Sequence, residues 1–504
     1  MPTCFWDRTL GVATTRSETS LRERRIEKLE LLERRGREGY PRRFRATHSS
    51  AEAARCLESD QQTPVTVAGR IMALREHGRA VFADLHDRSG KIQLYLKHDV
   101  LGDELFGLCG CLDIGDLIGA RGEVFRTRRG EPTVLTRQWE MLAKCLRPLP
   151  EKWHGLRDQE RRYRQRYLDL LVNADVRRVA VARSALVRQI RSFLDERGFM
   201  EVETPVLQPL YGGGSAQPFV THHQSLRASL YLRIADELYL KRLLVGGFER
   251  VYEIGKDFRN EGLDRLHNPE FTQLELYQAY ADYRDMMGLF EALVMHLAVG
   301  LNGSPRLVYQ GLELDLSAPW PRVTYGEVLK RWARVSMDAP EAVLRERLRD
   351  GGIDDEALRE RGSLLEKLFD RFVQPELRAP VFVIDYPTAV SPLAKSSEDN
   401  PSVVERFEPF AVGMELGNAF TELNDPREQR RRFEHQVRLR EGGELEAQPL
   451  DEDFIEALEY GMPPTGGMGV GIDRLSMLLL DQPSIRDVIL FPQLRAQGEV
   501  AGGE

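Results

Sequence analysis

The 504-residue chain predicts an α+β fold in two parts. A small all-β unit precedes a larger unit that mixes helices with strands. Three observations carry this. Short β-type runs follow one another from Val65 to about Leu146, with turn signals between them. From about Asp175, amphipathic helical and strand patterns take turns. Between Phe248 and Tyr280, two strand-like segments flank a short polar connection, the pattern of a long hairpin.

Residues 1–19 read as unstructured. "SLRERRIEKLELLERRGREGYPRRFR" reads as a helix. Ser20 and Glu23 fit a capping box, Leu21, Ile26, Leu29 and Leu32 recur near helical spacing, and Gly36 is its stop. Its arginine-rich face is either simply solvated or a flanking contact to nucleic-acid phosphates. Residues 1–64 form this N-terminal extension.

The β unit spans 65–147. Its runs are "VTVAGRI", "AVFADLHD", "KIQLYLK" and "DLIGARGEVFR", with turns at "DRSG" and "TRRGEP". In "KIQLYLK", Ile92, Leu94 and Leu96 share one face; Gln93, Tyr95 and Lys97 share the other. An aromatic, hydrogen-bonding outer face suits an OB-fold that stacks single-stranded bases. The alternative is a polar face with no ligand.

Residues 148–175, proline-marked and then strongly charged, read as a hinge leading into a helix. The larger unit spans 176–504. "VARSALVRQIRSFLDERGFMEVETPVL" gives a helix with Leu186, Ile190 and Phe193 on one side, a stop at Gly198, and a short strand closed by Pro205. A helical, charge-rich stretch at 324–378 reads as an insertion before strands resume at "VFVIDYP".

Composition excludes some functions. The chain is 42% hydrophobic and 30% charged, with no apolar run of about 18 residues. No membrane span is expected. The N-terminus lacks a long apolar segment, so no secretory signal is expected either, and the cytoplasm is the expected compartment. Of five cysteines, only Cys109 and Cys111 are close in sequence, which fits free thiols rather than a zinc site. Net charge is −8, so nucleic-acid binding would need local basic patches.

The second strand of the hairpin carries the chemistry. Phe271, Gln273, Glu275 and Tyr277 share one parity; Thr272, Leu274, Leu276 and Gln278 share the other. The first strand is expected to end with Arg259 and Glu261 on one parity. The connection contains His267. Pairing would bring Arg259, Glu261, Phe271, Glu275 and Tyr277 onto one surface. Arginine grips carboxylates or phosphates, Phe271 stacks a base, and Glu275 with Tyr277 holds an ammonium. That is a site for a nucleotide and a cationic amino acid. A solvated sheet face is the alternative.

A second segment, "RFEPFAVGMELGNAFTELNDP", places Asn418, Phe420 and Glu422 on one parity, near Glu408 and Glu415. Two carboxylates beside a triphosphate suit magnesium. Parity changes between Glu415 and Asn418, so a bulge or turn must intervene. In "PPTGGMGVGIDRLSMLL", glycines would let backbone approach a ligand, and Arg474 lies in the first turns of a helix whose N-terminus favours anions. The spacing matches neither the dinucleotide fingerprint nor a P-loop.

These segments resemble the class II lysyl-tRNA synthetases. The resemblance runs from about Leu21 to Gln493. It rests on "LRPLPEKWHGLRDQERRYRQRYLDL", "THHQSLRASLYLRIADELYLKRLLVGGFERVYEIGKDFRNEG", "HNPEFTQLELYQAYADY", "NAFTELNDP" and the glycine-rich segment through "SIRDVILFP". It implies an OB-fold anticodon-binding domain, a catalytic domain on a central antiparallel sheet, and a homodimer through the helix and strand ending at Pro205.

The resemblance also implies roles. Arg259 would bridge the α-phosphate of ATP and the lysine carboxylate. Glu261 would face the adenine amino group, and Phe271 would stack on the ring. His267 and Arg474 would hold the distal phosphates, and Glu408 and Glu415 would bind Mg2+. Gly213 and Glu237 would receive the α-ammonium of L-lysine, with Asn418 near its carboxylate. Glu275, Tyr277 and Glu422 would recognise the ε-ammonium. Arg70, Phe82 and Gln93 would read the central anticodon uridine of lysine tRNA. Tyr211, Gln217, Asp236 and Met414 depart from residues frequent in the family. "AKSSED" resembles the lysine-serine loop of class I synthetases only superficially, without a partner motif.

Three rivals share the scaffold. An aspartyl- or asparaginyl-type synthetase would not want Glu275 and Glu422, which repel an acidic side chain. A paralogue that lysylates elongation factor P lacks an OB domain. A catalytically silent nucleic-acid-binding protein would not need every arginine and glutamate named above.

Overall fold

The computed structural model describes residues 16–58, 63–150, 156–354, 358, 360–443 and 446–495. The chain divides into two compact units, Met1–Arg157 and Asp158–Glu504.

In the first unit a helix covers Arg16–Arg34. It starts four residues before Ser20, which is therefore not its cap. Nothing in "RSET" breaks a helix, so the hydrogen-bonded ladder extends past the first good capping residue. Residues 1–15 lie outside the described residues. The helix stops at Gly36, at φ +68°, where Arg37 N–H reaches Leu32 O at 3.0 Å. Part of its basic face is already used. Arg25 donates to Cys145 O at 2.7 Å and Lys28 pairs with Asp113 at 2.7 Å.

The β unit is a closed barrel in the order Pro64–His77, Ala80–His86, Lys91–Lys97, Pro132–Ala143, Leu117–Arg126. Val65, Val67, Ile71, Leu85, Ile92, Leu94 and Leu96 fill its interior. The first strand runs well beyond "VTVAGRI". A register shift between Ile71 and Ala73 lets it bend around the barrel and continue to His77. A helix at His98–Gly107, which the strand patterns do not suggest, buries none of its residues and is interrupted by Gly102 at φ +76°.

In the second unit, much of the stretch expected to be a hinge is ordered helix, at Gln159–Arg164 and Arg166–Val172. Arg166 is 1% exposed and donates to Asp169, Arg486 O and Leu490 O, which ties this segment to the C-terminal part of the same unit. Charge here serves burial, not flexibility. The helix Ala174–Asp195 buries Leu186, Ile190 and Phe193 and ends at Gly198.

A nine-stranded sheet forms the centre. Its order is Arg322–Thr324, Val381–Pro387, Val403–Ala411, Gly417–Thr421, Thr465–Gly471, Glu270–Ala279, Arg250–Phe258 and Met200–Glu201, with Met414–Glu415 paired to Val403–Ala411. Pairing is antiparallel except at the two ends of that order. Leu274 and Leu276 join one core, with helices Ala174–Asp195 and Tyr283–Asn302. Val251 and Tyr277 face the other, with Glu237–Val245 and the short helical segments between Tyr325 and Glu376. The alternation of the hairpin strand thus becomes two opposite faces.

Candidate active site

The hairpin pairs Arg250–Phe258 with Glu270–Ala279, Glu253 opposite Glu275 and Asp257 opposite Phe271. The first strand ends at Phe258, earlier than expected. Arg259 N–H still bonds Pro269 O at 2.9 Å, but Glu261 N–H turns back to Arg259 O, so Glu261 belongs to the connection. Both residues nonetheless line the same cavity as the second strand.

That cavity holds about 350 Å³. Gly213, Glu237, Arg259, Glu261, His267, Phe271, Glu275, Tyr277, Glu408, Glu415, Asn418, Glu422 and Arg474 all line it. The structure therefore gathers every expected residue of the larger unit at one place. Arg70, Phe82 and Gln93 lie in the barrel.

At one end the walls are acidic and buried. Glu275 is 6% exposed; Tyr277 Oη donates to it at 3.0 Å, and Gln273 hydrogen-bonds its other oxygen. Burial first, then the charges of Glu237 and Asp257, raise its pKa to about 8. Glu422 is 1% exposed. Burial pushes its pKa well up, and Lys241 opposes. Asp236 adds a further buried carboxyl with one oxygen unpartnered, its pKa raised chiefly by burial.

The glycine-rich strand Thr465–Gly471 explains how these acids fit, and its Gly467, Gly469 and Gly471 also line the cavity. A Cβ on Gly467 would overlap Glu422 Oε1 and Tyr277, and one on Gly469 would overlap Glu275 Oε1. In this strand, those two glycines make room for side chains of the wall. Gly213 has φ +83°, and a Cβ there would crowd Ala235 and Glu237 at 3.1 Å.

At the other end arginines and carboxylates are already paired. Arg474 donates to Glu415 Oε2 at 3.0 Å and to His267 Nε2 at 2.9 Å, so His267 Nδ1–H donates to Asp264 at 2.7 Å. Glu408 accepts from Arg406 at 2.6 Å and from Tyr386 Oη at 2.7 Å. Burial outweighs Arg406 and raises its pKa to about 7. Arg406 also donates to Asn418 Oδ1 at 2.8 Å. The Arg259 guanidinium lies 5.1 Å from the centre of the Phe271 ring. Among the described residues no cluster of three or more His, Cys, Asp or Glu could by itself hold a metal. Two carboxylates on one wall leave room for an ion that takes its remaining ligands from phosphate and water.

The parity break falls where the strands allow it. Phe410 faces Glu415 but Phe407 faces Ala419, a one-residue shift at Leu416, which is buried in the core. The bulge turns both Glu415 and Asn418 to the cavity.

Sequence reasoning did not single out Arg406, Lys241, Gln448 or Asp473. Gln448 is 2% exposed and approaches Gly213 N–H at 3.4 Å. Asp473 accepts from Thr272 N–H at 2.7 Å and from Arg183 at 2.5 Å, joining the helix Ile472–Leu479 to the hairpin and to Ala174–Asp195.

On the outer face of the barrel, Phe82 stacks on Tyr95 at 4.7 Å between centroids. Gln93 is buried by Thr133 and Glu131, and Arg70 donates to Gly115 O at 2.6 Å. Arg75 pairs with Asp84 at 2.7 Å beside them.

Residues 158–495 match the model of the tRNA synthetases class II (D, K and N), about two thirds of the chain. The chain belongs to this class II tRNA synthetase family. Residues 65–144 match the OB-fold nucleic acid binding domain. Among curated relatives, the lysine--tRNA ligase of Moorella thermoacetica is 53% identical over 96% of this chain and 99% of its own length. Those of Carboxydothermus hydrogenoformans, 52% over 94% and 97%, and Roseiflexus castenholzii, 53% over 94% and 98%, are similar.

Proposed function

We infer that this synthetase activates L-lysine with ATP and transfers it to the 3′ end of lysine tRNA. The observation that carries the reading is the pair of buried carboxylates, Glu275 and Glu422, on the wall of a cavity that also holds Arg259 and Arg474. Buried acids pair with a cationic side chain and repel an acidic one, which disfavours aspartate and asparagine enzymes. Near-full-length relatives named lysine--tRNA ligase support the same reading.

In the first step the lysine carboxylate attacks the α-phosphorus of ATP in line. The bond to pyrophosphate breaks and lysyl-adenylate forms. Arg259 holds the carboxylate against the phosphate, Asn418 orients it, and Gly213 with Glu237 receives the α-ammonium. Glu275, Tyr277 and Glu422 take the ε-ammonium. Phe271 stacks the adenine, Glu261 reads its amino group, and His267 and Arg474 hold the leaving phosphates. Glu408 and Glu415 would hold Mg2+, which when bound supplies charge neutralisation on those phosphates. In the second step a hydroxyl of the terminal adenosine attacks the lysyl carbonyl, and AMP leaves. Positioning and electrostatics do the catalysis, without a protein nucleophile.

The barrel reads the anticodon through Phe82, Gln93 and Arg70. Its presence favours a tRNA acceptor over a protein one. Met200, Val206, Leu207 and Phe248 are exposed apolar side chains, and Met200 lies in a short strand that contacts the helix Ala174–Asp195, which suits a homodimer through this region. Among the described residues no helix is long and apolar enough to cross a membrane, and cytoplasmic residence fits the tRNA substrate.

Pyrophosphate exchange with each amino acid in turn tests the reading. Only lysine should support exchange. Exchange driven by aspartate or asparagine, or none with any amino acid, would overturn it.

A further inference from the structure

Lys241 is fully buried one helical turn after Glu237, on the helix Glu237–Val245. Its Nζ lies 2.5 Å from Glu237 Oε1, forms an ion pair with Glu422, and sits 5.4 Å from the centre of the Phe420 ring. A buried ammonium is costly unless well paired. Burial pushes its pKa down, but Glu237 and Glu422 together outweigh that and hold it charged. Both partners line the cavity; Lys241 stands behind them.

The charge balance is specific. Glu237, Glu275 and Glu422 place three carboxylates on this wall, and Lys241 is the ammonium paired with two of them. When Glu237, Glu275, Glu422 and Lys241 are all ionised, two negative charges remain among these four; Asp236, off the cavity lining, is pushed toward its neutral form by burial. An amino acid with an α- and an ε-ammonium brings two positive ones.

We propose that Lys241 is a positioning residue for amino-acid recognition, an internal counter-ion that fixes Glu237 and Glu422 so that the wall offers two negative charges to the two ammonium groups of lysine. This rests on the lysine reading above. Lys241 does not touch the substrate. It acts by orienting two carboxylates that do, and by favouring the ionised form of Glu422.

The charged groups facing Glu422 are Lys241 and Glu237 from the helix and Glu275 from the adjoining strand; Tyr277 and Asp236 complete the cluster. Burial raises the pKa of Glu422, and Lys241 is the largest opposing influence. Without Lys241, Glu422 keeps its proton to higher pH.

The test uses the full chain and lysine-dependent pyrophosphate exchange. Lys241→Gln should raise the KM for lysine at least tenfold, leave the KM for ATP within about twofold, and move the acid limb of lysine kcat/KM to higher pH. Removing one partner of a buried pair can unfold a protein, so a second comparison is built on the neutral pair. Lys241→Met with Glu422→Gln should fold, yet have a lysine kcat/KM at least tenfold below Glu422→Gln alone, because Glu237 has lost its anchor. A merely structural lysine predicts equality between those two. Equality, or a Lys241→Gln enzyme with the parental lysine KM and pH profile, overturns the proposal. A parent enzyme that does not activate lysine would instead sink the ligase reading.

Discussion

The two ends of the cavity solve opposite problems. At the amino-acid end, Glu275 and Glu422 are buried among other acids, with Lys241 as the internal cation paired to Glu422. A cationic ligand there supplies a missing partner. At the phosphate end, Glu415 already holds Arg474, and Glu408 already holds Arg406. In the proposed reading, Arg474 would turn to the phosphates of a bound nucleotide, and Glu408 and Glu415 would hold magnesium. The first arrangement holds buried carboxyls whose pKa values are raised chiefly by burial, and in the proposed reading it recognises the side chain. The second already pairs each of its two carboxylates with an arginine, which suits charge that comes and goes during a reaction.

The largest effect should come from breaking the exchange. Chelation of magnesium should abolish adenylate formation, and so should Glu408→Ala, which also leaves Arg406 without its 2.6 Å partner. Rapid-quench detection of lysyl-adenylate reads this, with size-exclusion chromatography as the check on assembly. Full activity without divalent metal would remove Glu408 and Glu415 from the proposed metal role and collapse the contrast between the ends.

The missing-partner end is broken by Glu275→Gln, which keeps shape and removes charge. Leaving one member of a buried pair uncompensated costs roughly 3–5 kcal/mol, or about two to four decades in an equilibrium. The loss should fall on lysine kcat/KM and spare the KM for ATP. An exposed sheet carboxylate would change this by about half a kcal/mol at most. A near-parental lysine kcat/KM therefore refutes the assignment.

Much of this contrast was legible because a strand shows alternate residues to opposite faces. Phe271, Gln273, Glu275 and Tyr277 lie on the cavity wall, while Leu274 and Leu276 lie in the core. Other parts were hidden for physical reasons. Glu237 and Lys241, four apart on a helix, look like a solvated surface pair until burial is known. Arg406 shares its parity with Glu408, a signal present in "RFE" but indistinguishable from an exposed strand pair. The glycines of Thr465–Gly471 announce close approach, but only the register shows that Glu275 and Glu422 are what approaches. Residues 148–175 read as a hinge leading into a helix, and the anchoring of that helix was hidden because Arg166 finds its partners some 320 residues away.

A smaller effect separates the cavity from the barrel. Phe82→Ala should weaken tRNA charging by roughly 1–3 kcal/mol, the worth of one stacked base. It should leave pyrophosphate exchange at the parental rate, since the adenylate forms in the other unit. Equal losses in both assays would show that the Phe82–Tyr95 stack only holds the barrel together.

A last effect sharpens the comparison without catalysis. Glu275 has its pKa raised from 4.5 to about 8, chiefly by burial. A carboxyl raised in the folded state stabilises the fold below its unfolded pKa. That contribution is lost as pH rises through the folded value. In the ligand-free parent it should therefore fade between about pH 4.5 and pH 8, a window that Glu275→Gln lacks. Thermal unfolding without lysine should show the variant gaining on the parent as pH rises from 5 to 8.5. Lysine at about 100 times its Kd should then restore the parent by roughly 2.7 kcal/mol, and the variant far less. Glu415→Gln is the control from the other end. It loses a partly exposed pair with Arg474, worth about 1 kcal/mol or less. If the difference between parent and Glu275→Gln stays constant across this pH range, the amino-acid end stores no unpaired charge, and its acids are held by contacts like those at the phosphate end.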